Sequence, residues 1–187
     1  ARYALEDAGI KEEKKFLAPF EPRDVGICSA TAYGSLDAIT ELNRVAELED
    51  PRYINPTRFP NTVINAAAGY VSIWQDLQAP NTTVVDGNCG ALDAVLAAQT
   101  HLSQGRGRAF LVGGGEVVSE PLYLALRALG VVSSPGESPS EGSVELGEGA
   151  CYLSLEPASA AAARDARVLG VISGYGTAFE PPASEAL

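Results

Sequence analysis

Histidine is nearly absent from this sequence, and methionine is absent altogether. The 187 residues include one histidine, His101, and no methionine. Catalysis that needs a histidine could use only His101, and a metal site of two or three histidines is excluded within this chain. Because Ala1 lies inside a predicted helix end and no start methionine is present, we expect further residues to precede it.

Basic residues are also scarce. The chain has 13 Lys and Arg against 24 Asp and Glu, for a net charge of −11. This balance argues against general nucleic-acid binding and against docking on anionic lipid. No apolar run approaches the roughly 20 residues of a membrane-spanning helix. Three cysteines are an odd number for a disulfide framework, so a reducing, cytoplasmic location is expected.

What is present is an alternation of apolar strand-like runs with segments of helical periodicity. Near-continuous apolar strands between helices predict an α/β fold with a mostly parallel sheet and helices on both faces. Strands are predicted at 25–30, 82–85, 109–112, 150–156 and 167–175, and helices at 36–46, 62–78, 90–102, 119–129 and 157–165.

The remaining segments are predicted to be irregular. Residues 1–8 are expected to be a helix end capped by Gly9, and residues 10–24 a charged surface loop. Three prolines exclude regular structure from 50–61, and residues 130–149 are rich in loop formers. The predicted organisation is a helix end and loop at 1–24, one domain at 25–180 and a tail at 181–187.

The most informative segment is the predicted strand–turn–helix junction at 84–96. Gly87 and Gly90 make a tight turn there, which places Asn88 and Cys89 at the positive end of a helix dipole. A cysteine in this place can have a lowered pKa and act as a nucleophile. The alternative is that Asn88 or Asp86 caps the helix and Cys89 packs in the core.

In this region the sequence resembles the β-ketoacyl synthases of fatty-acid and polyketide synthesis, which have the thiolase fold. The resemblance covers roughly residues 25–180, and its motifs are individually weak but specific as an ordered set. They are the Pro- and Asn-bearing helix start at 60–69, the strand at 79–85, the glycine run Gly113–Glu116, the Gly-Glu-Gly-Ala run at 147–150 and Gly174–Gly176. The resemblance implies that about one half of the full thiolase-like fold is present.

The resemblance also implies where the family's nucleophilic cysteine belongs. In the family it lies 25 residues before the first glycine of the Gly-Gly motif, and counting back from Gly113 gives Asn88. Counting forward from Pro80 gives the same residue. A carboxamide cannot form the acyl thioester. Cys89 lies one residue further on, and it could take the nucleophile's place only if the register broke on both sides.

Asn88 therefore points to the chain-length factor, the non-elongating partner subunit of type II polyketide ketosynthases, which replaces the cysteine by an amide. The family's two catalytic histidines lie in the second half of the fold, and the loop 130–146 lacks the usual Pro-Phe-Asp and Gly-Phe elements. The expected partner is an active ketosynthase in a heterodimer, with no cofactor or metal. The resemblance places these residues at the interface or acyl tunnel: Thr57, Arg58, Phe59, Asn65, Thr82, Thr83, Val84 and Val85.

Other reactive residue types are expected to be structural. His101 is interpreted as a surface or satisfied helix residue, Cys28 and Cys151 as core, and Glu116 as a structural cap or pair. Since acyl carrier proteins are acidic, the charge of −11 makes this chain a poor docking platform, so the carrier protein is expected to bind the partner. The alternatives are part of an active synthase that uses Cys89, and a decarboxylating or purely structural paralogue.

Overall fold

The computed structural model describes residues 1–133 and 143–178. Its helices are α1 (Arg2–Asp7), α2 (Leu36–Leu48), α3 (Ala66–Gln75), α4 (Gly90–Ser103), α5 (Glu120–Ala128) and α6 (Ala158–Ala163). Its strands are β1 (Lys11–Glu12), β2 (Lys15–Phe16), β3 (Val25–Ala30), β4 (Asn81–Val84), β5 (Ala109–Glu116) and β6 (Gly149–Leu155).

The main sheet has four strands in the order β4-β3-β5-β6. Strands β4 and β5 both pair with β3 in parallel, and β6 pairs with β5 antiparallel. The prediction of an α/β fold with a mostly parallel sheet is confirmed. In the described part of the chain β4 and β6 are the two edge strands of this sheet.

Helices cover both faces of the sheet, as predicted. The central strand β3 is buried along its whole length, which matches its unbroken apolar run. On one face Val25, Ile27 and Leu111 pack with Leu5 of α1 and Ala68 of α3. The opposite face packs against α4, and the buried residues of this contact are Cys28, Ala30, Phe110 and Val112 of the strands and Ala94 and Ala98 of α4. Small alanines on α4 let this helix lie close to the strands.

Strand β5 is longer than predicted, because it continues through the glycine run to Glu116. A β-carbon on Gly114 would lie 2.5 Å from the carbonyl oxygen of Ala30, and one on Gly113 would overlap the carbonyl oxygen of Cys151. Glycine is therefore required by the close approach of the neighbouring backbones. The glycine run is part of the sheet rather than a loop after it.

Several segments differ from the sequence-based expectation. The predicted loop 10–24 contains the β1–β2 hairpin and a 3₁₀ turn at Pro22–Asp24, and it buries Ile10. The predicted irregular segment 50–61 forms 3₁₀ turns at Pro51–Tyr53 and Pro56–Asn61, where proline occupies first-turn positions that need no N–H.

The strand predicted at 167–175 is wrong. Residues 166–178 have no regular structure, and their apolar side chains, such as Val171, are exposed. A strand needs a neighbour to satisfy its backbone, and no described strand pairs with this segment. Residues 134–142 of the predicted loop, and the predicted tail 181–187, lie outside the described residues.

Candidate functional site

The predicted strand–turn–helix junction is present at the end of edge strand β4. After β4 ends at Val84, residues Gly87–Cys89 form a 3₁₀ turn that continues directly into α4. Gly87 has a φ of 43°, a conformation that glycine adopts at little cost. A β-carbon on Gly90 would lie 3.3 Å from Cβ of Ala30, so the first turn of α4 rests closely on β3.

Asn88 and Cys89 are both exposed in this turn. Within the described residues the Asn88 side chain makes no hydrogen bond, so it does not cap α4. Cys89 is the residue immediately before α4 and is free and exposed, so the expectation that it packs in the core is wrong. Successive residues of a 3₁₀ turn are about 120° apart, so the two side chains leave the turn in different directions.

Two carboxyl groups lie beside the turn. Asp86 precedes it, and Asp93 lies in the first turn of α4. A hydrogen bond with the Asp86 carboxyl, partial desolvation and the like charge of Asp86 raise the pKa of Asp93. The surroundings of Asn88 and Cys89 therefore include two acidic side chains.

Glu116 ties together the carboxyl ends of β3 and β5. Its carboxylate accepts a hydrogen bond from the backbone N–H of Ala32 at 2.7 Å and from Thr31 Oγ1 at 3.1 Å. Thr31 Oγ1 in turn accepts from the N–H of Gly34 at 2.9 Å. The expectation of a structural role for Glu116 is confirmed.

His101 is a packed helix residue rather than a surface one. Its Nε2 lies 3.1 Å from Thr82 Oγ1, and its ring stacks on Phe110 with centroids 5.4 Å apart. Its Nδ1 is buried and has no hydrogen-bond partner among the described residues. The ring lies far along α4 from Asn88, and nothing in this geometry gives it contact with the turn.

The two remaining cysteines behave differently from each other. Cys28 is fully buried on β3, as predicted, and burial raises the pKa of its thiol to about 11. Cys151 was also expected in the core, but it is exposed. The reason is its place on edge strand β6, because no described element covers that side of the strand.

The predicted interface loop is exposed and anchored to α2. Phe59 is 65% exposed, and Arg58 forms an ion pair with Glu41 at 2.7 Å. Thr57 donates its N–H and its hydroxyl to the side chain of Asn55, which starts the 3₁₀ turn. Asn65 is exposed at the start of α3. No hydrogen bond or ion pair among the described residues joins this loop to β4.

The other predicted interface residues lie along β4 and just after it. Thr82, Thr83 and Val84 are half-buried, and Val85 is exposed. The register pairs Thr82 with Cys28 and Thr83 with Ser29, so neighbouring β4 side chains point to opposite faces of the sheet. Thr83 Oγ1 is buried with no hydrogen-bond partner in the described residues.

Sequence reasoning missed a hydrogen bond that crosses the sheet. Tyr152 on β6 places its hydroxyl 2.6 Å from Ser29 Oγ on β3. Gly113 lies between them in the register, paired with both. The lack of a side chain at Gly113 leaves room for this contact. The glycine at this position is the one feature of the sequence that could have indicated it.

A large groove lies away from the turn. It has a volume of about 870 Å³ and lies between β6, α1, the end of α4 and residues 166–172. None of the predicted site residues lines it. Among the described residues there is no cluster of three or more metal-ligating side chains, and no helix is long and apolar enough to cross a bilayer.

Comparison with known proteins identifies the class to which this fold and turn belong. Residues 1–161 match the family model for the β-ketoacyl synthase, N-terminal domain. This match covers most of the chain, so the protein belongs to the β-ketoacyl synthase family.

Individual relatives agree with this assignment. The 3-oxoacyl-[acyl-carrier-protein] synthase 2 of Coxiella burnetii is 32% identical, over 94% of this chain and 44% of that protein. The ishigamide ketosynthase/chain length factor structure is 30% identical with a TM-score of 0.64, covering 76% of this chain and 38% of that one. A β-ketoacyl synthase from Burkholderia phymatum, 22% identical over 89% of this chain and 42% of that one, has the same fold at a TM-score of 0.76. The chain spans less than half the length of the curated relatives it matches.

Proposed function

We propose that this chain is a ketosynthase-like subunit without the nucleophilic cysteine. It would pair with an active ketosynthase and shape that partner's acyl tunnel during polyketide, polyene or fatty-acid chain elongation. The observation that carries this proposal is Asn88, which occupies the counted nucleophile position within an intact strand–turn–helix junction. A carboxamide cannot accept an acyl group as a thioester, so the chain would act through its partner.

The geometry of the turn supports Asn88 rather than Cys89 in that position. Only Val85 and Asp86 separate β4 from the 3₁₀ turn, which continues directly into α4, and the family count from Pro80 ends at Asn88. Moving Cys89 into the place of Asn88 would require the turn to rotate by about 120°. Gly90 rests against Ala30, and this contact opposes such a rotation.

The proposed pairing surface includes edge strand β4. Its outer edge has no neighbour among the described strands, and an unpaired edge is a template for pairing with another chain. From the family resemblance, Thr82–Val85 would lie beside the two-fold axis of such a pair. With a net charge of −11 on this chain, the acidic acyl carrier protein would dock on the partner instead.

The loop at Thr57–Phe59 is the proposed determinant of product length. The Arg58–Glu41 ion pair holds the loop against α2 and leaves the Phe59 ring free to contact the partner's tunnel. Phe59→Ala and Phe59→Trp are expected to lengthen and shorten the product, and Tyr53→Ala, at a ring that is 72% exposed in the adjacent turn, is the control. Unchanged product length with an intact complex would refute this role.

A second candidate function is part of an active synthase that uses Cys89. The observation that favours it is the exposure of the Cys89 thiol at the amino end of the 14-residue helix α4. A helix amino end stabilises a thiolate. The carboxyl groups of Asp86 and Asp93 lie beside the same turn, so its surroundings are acidic.

Native mass spectrometry with a ketosynthase from the same genome, chosen to carry cysteine at the position aligned with Asn88, tests the proposal. We expect a one-to-one complex, and Asn88→Cys should gain a site for acylation that the unaltered chain lacks. Cys89→Ala is the matched control and should change neither result. If the unaltered chain is acylated and Cys89→Ala abolishes that acylation, the result would favour the active-synthase alternative.

A further inference from the structure

Edge strand β4 is held from both faces of the sheet by side-chain hydrogen bonds near its amino end. On the α3 face, Asn81 Nδ2 donates to the carbonyl oxygen of Ala68 at 3.0 Å and to Ser72 Oγ at 2.7 Å. On the α4 face, Thr82 Oγ1 lies 3.1 Å from His101 Nε2. The strand is thus fixed to the helical layer on each side, in addition to its ladder with β3.

His101 is an unusual choice for this packed position. Its Nδ1 is buried with no described partner, and an unsatisfied buried nitrogen costs stability. An apolar side chain of similar size would avoid that cost and still pack on Phe110. The interaction that an apolar residue could not supply is the hydrogen bond to Thr82, which pairs with the buried Cys28 in the ladder between β4 and β3.

We propose that His101 is a positioning residue that holds β4 as a preordered edge for pairing with the partner ketosynthase. This inference rests on the proposed function, because it assigns β4 to the pairing surface. An edge strand that is already fixed loses little conformational freedom on association, so more of the contact energy contributes to affinity. Asn81 performs the same task from the opposite face.

Four substitutions separate this role from general packing. His101→Phe keeps a ring stacked on Phe110 and removes the hydrogen bond, whereas His101→Gln supplies an amide group at the same reach. Thr82→Val removes the partner hydroxyl and preserves its shape. Ser103→Ala is the control, because Ser103 lies on the same helix and its hydroxyl, among the described residues, bonds only to the carbonyl oxygen of Thr100.

Hydrogen–deuterium exchange of residues 81–84 in the full chain measures how firmly β4 is held. His101→Phe and Thr82→Val are expected to speed this exchange about 2- to 10-fold, the effect of losing one hydrogen bond. His101→Gln should restore most of the protection, and Ser103→Ala should change nothing. Combining His101→Phe with Thr82→Val should speed exchange no further than either substitution alone, because both remove the same hydrogen bond.

The affinity of this chain for the ketosynthase used in the native mass spectrometry shows whether a loosened β4 weakens pairing. His101→Phe should weaken pairing about 2- to 10-fold, and His101→Gln should recover it. Equal acceleration of exchange in β5 and β4 would overturn the inference, since His101 would then support only the core. Loosening of β4 without weaker pairing would also overturn it and leave the proposed function standing. Failure of the unaltered chain to pair would overturn the proposed function together with the inference.

Discussion

Gly114 offers the most direct test of how the sheet is packed. A β-carbon there would lie 2.5 Å from the carbonyl oxygen of Ala30, about 1 Å closer than a normal carbon contact. The obstacle is backbone of the paired central strand, so β3 and β5 must separate locally at a cost of about 3 kcal/mol. Alanine also lowers the conformational entropy of the unfolded chain, which stabilises the folded state by about 0.5–1 kcal/mol. We expect Gly114→Ala to lower the free energy of unfolding by about 2 kcal/mol.

Gly69→Ala is the matched comparison. Gly69 lies inside α3, and a β-carbon there would meet no atom within 4 Å. Alanine in a helix interior is favoured over glycine by about 1 kcal/mol, so this variant should be more stable than the unaltered chain. Urea denaturation should separate the two variants by about 3 kcal/mol. Equal stability of the two variants would refute the close approach of β5 to β3.

The remaining predictions concern charge and thiol chemistry. Glu116→Ala should lower the free energy of unfolding by about 2 kcal/mol in urea denaturation, because a charged acceptor for two donors is lost, and Glu116→Gln should lower it less. Iodoacetamide at pH 8 should alkylate Cys89 in the folded chain but not Cys28, whose pKa is raised to about 11, as read by peptide mass mapping. Asp86→Asn should lower the pKa of Asp93 in an NMR titration, because the neighbouring acid that raises it is removed.

Each of these results has a contrary outcome. Equal stability of Glu116→Ala and the unaltered chain would mean that water replaces the Glu116 contacts. Alkylation of Cys28 at the rate of Cys89 would contradict the burial of β3. Because the folded-state pKa of Asp93 is raised, its contribution to stability is present at low pH and is lost as pH rises through that pKa. Asp86→Asn should remove this loss, and an unchanged pH dependence would contradict the pairing of the two acids.

The sequence predicted best where local pattern and packing agree. The apolar run of β3 predicts a strand buried on both faces, and β3 is buried throughout. The glycines around Asn88 predict the turn after β4, and the structure has it there. These features depend on neighbours within a few residues of the chain or on the burial of one continuous run.

The sequence predicted poorly where a partner lies far along the chain. Lys11 was assigned to a surface loop, yet it is buried, and its Nζ donates to the carbonyl oxygen of Gln75. Desolvation by burial lowers the pKa of Lys11. The apolar segment 167–175 shows the opposite error, since its pattern predicts a strand but no described strand pairs with it. Local sequence encodes neither the burial of Lys11 nor the lack of a strand at 167–175, because each depends on which distant part of the chain packs against the segment.

The location of the acyl group in the assembled complex tests the central claim most directly. The complex of this chain with the proposed partner ketosynthase would be incubated with an acyl carrier thioester, digested and analysed by mass spectrometry. With Asn88 in the nucleophile position, as we propose, an acyl thioester is expected on the partner's cysteine and none on this chain. An acyl group on Cys89 would contradict the account.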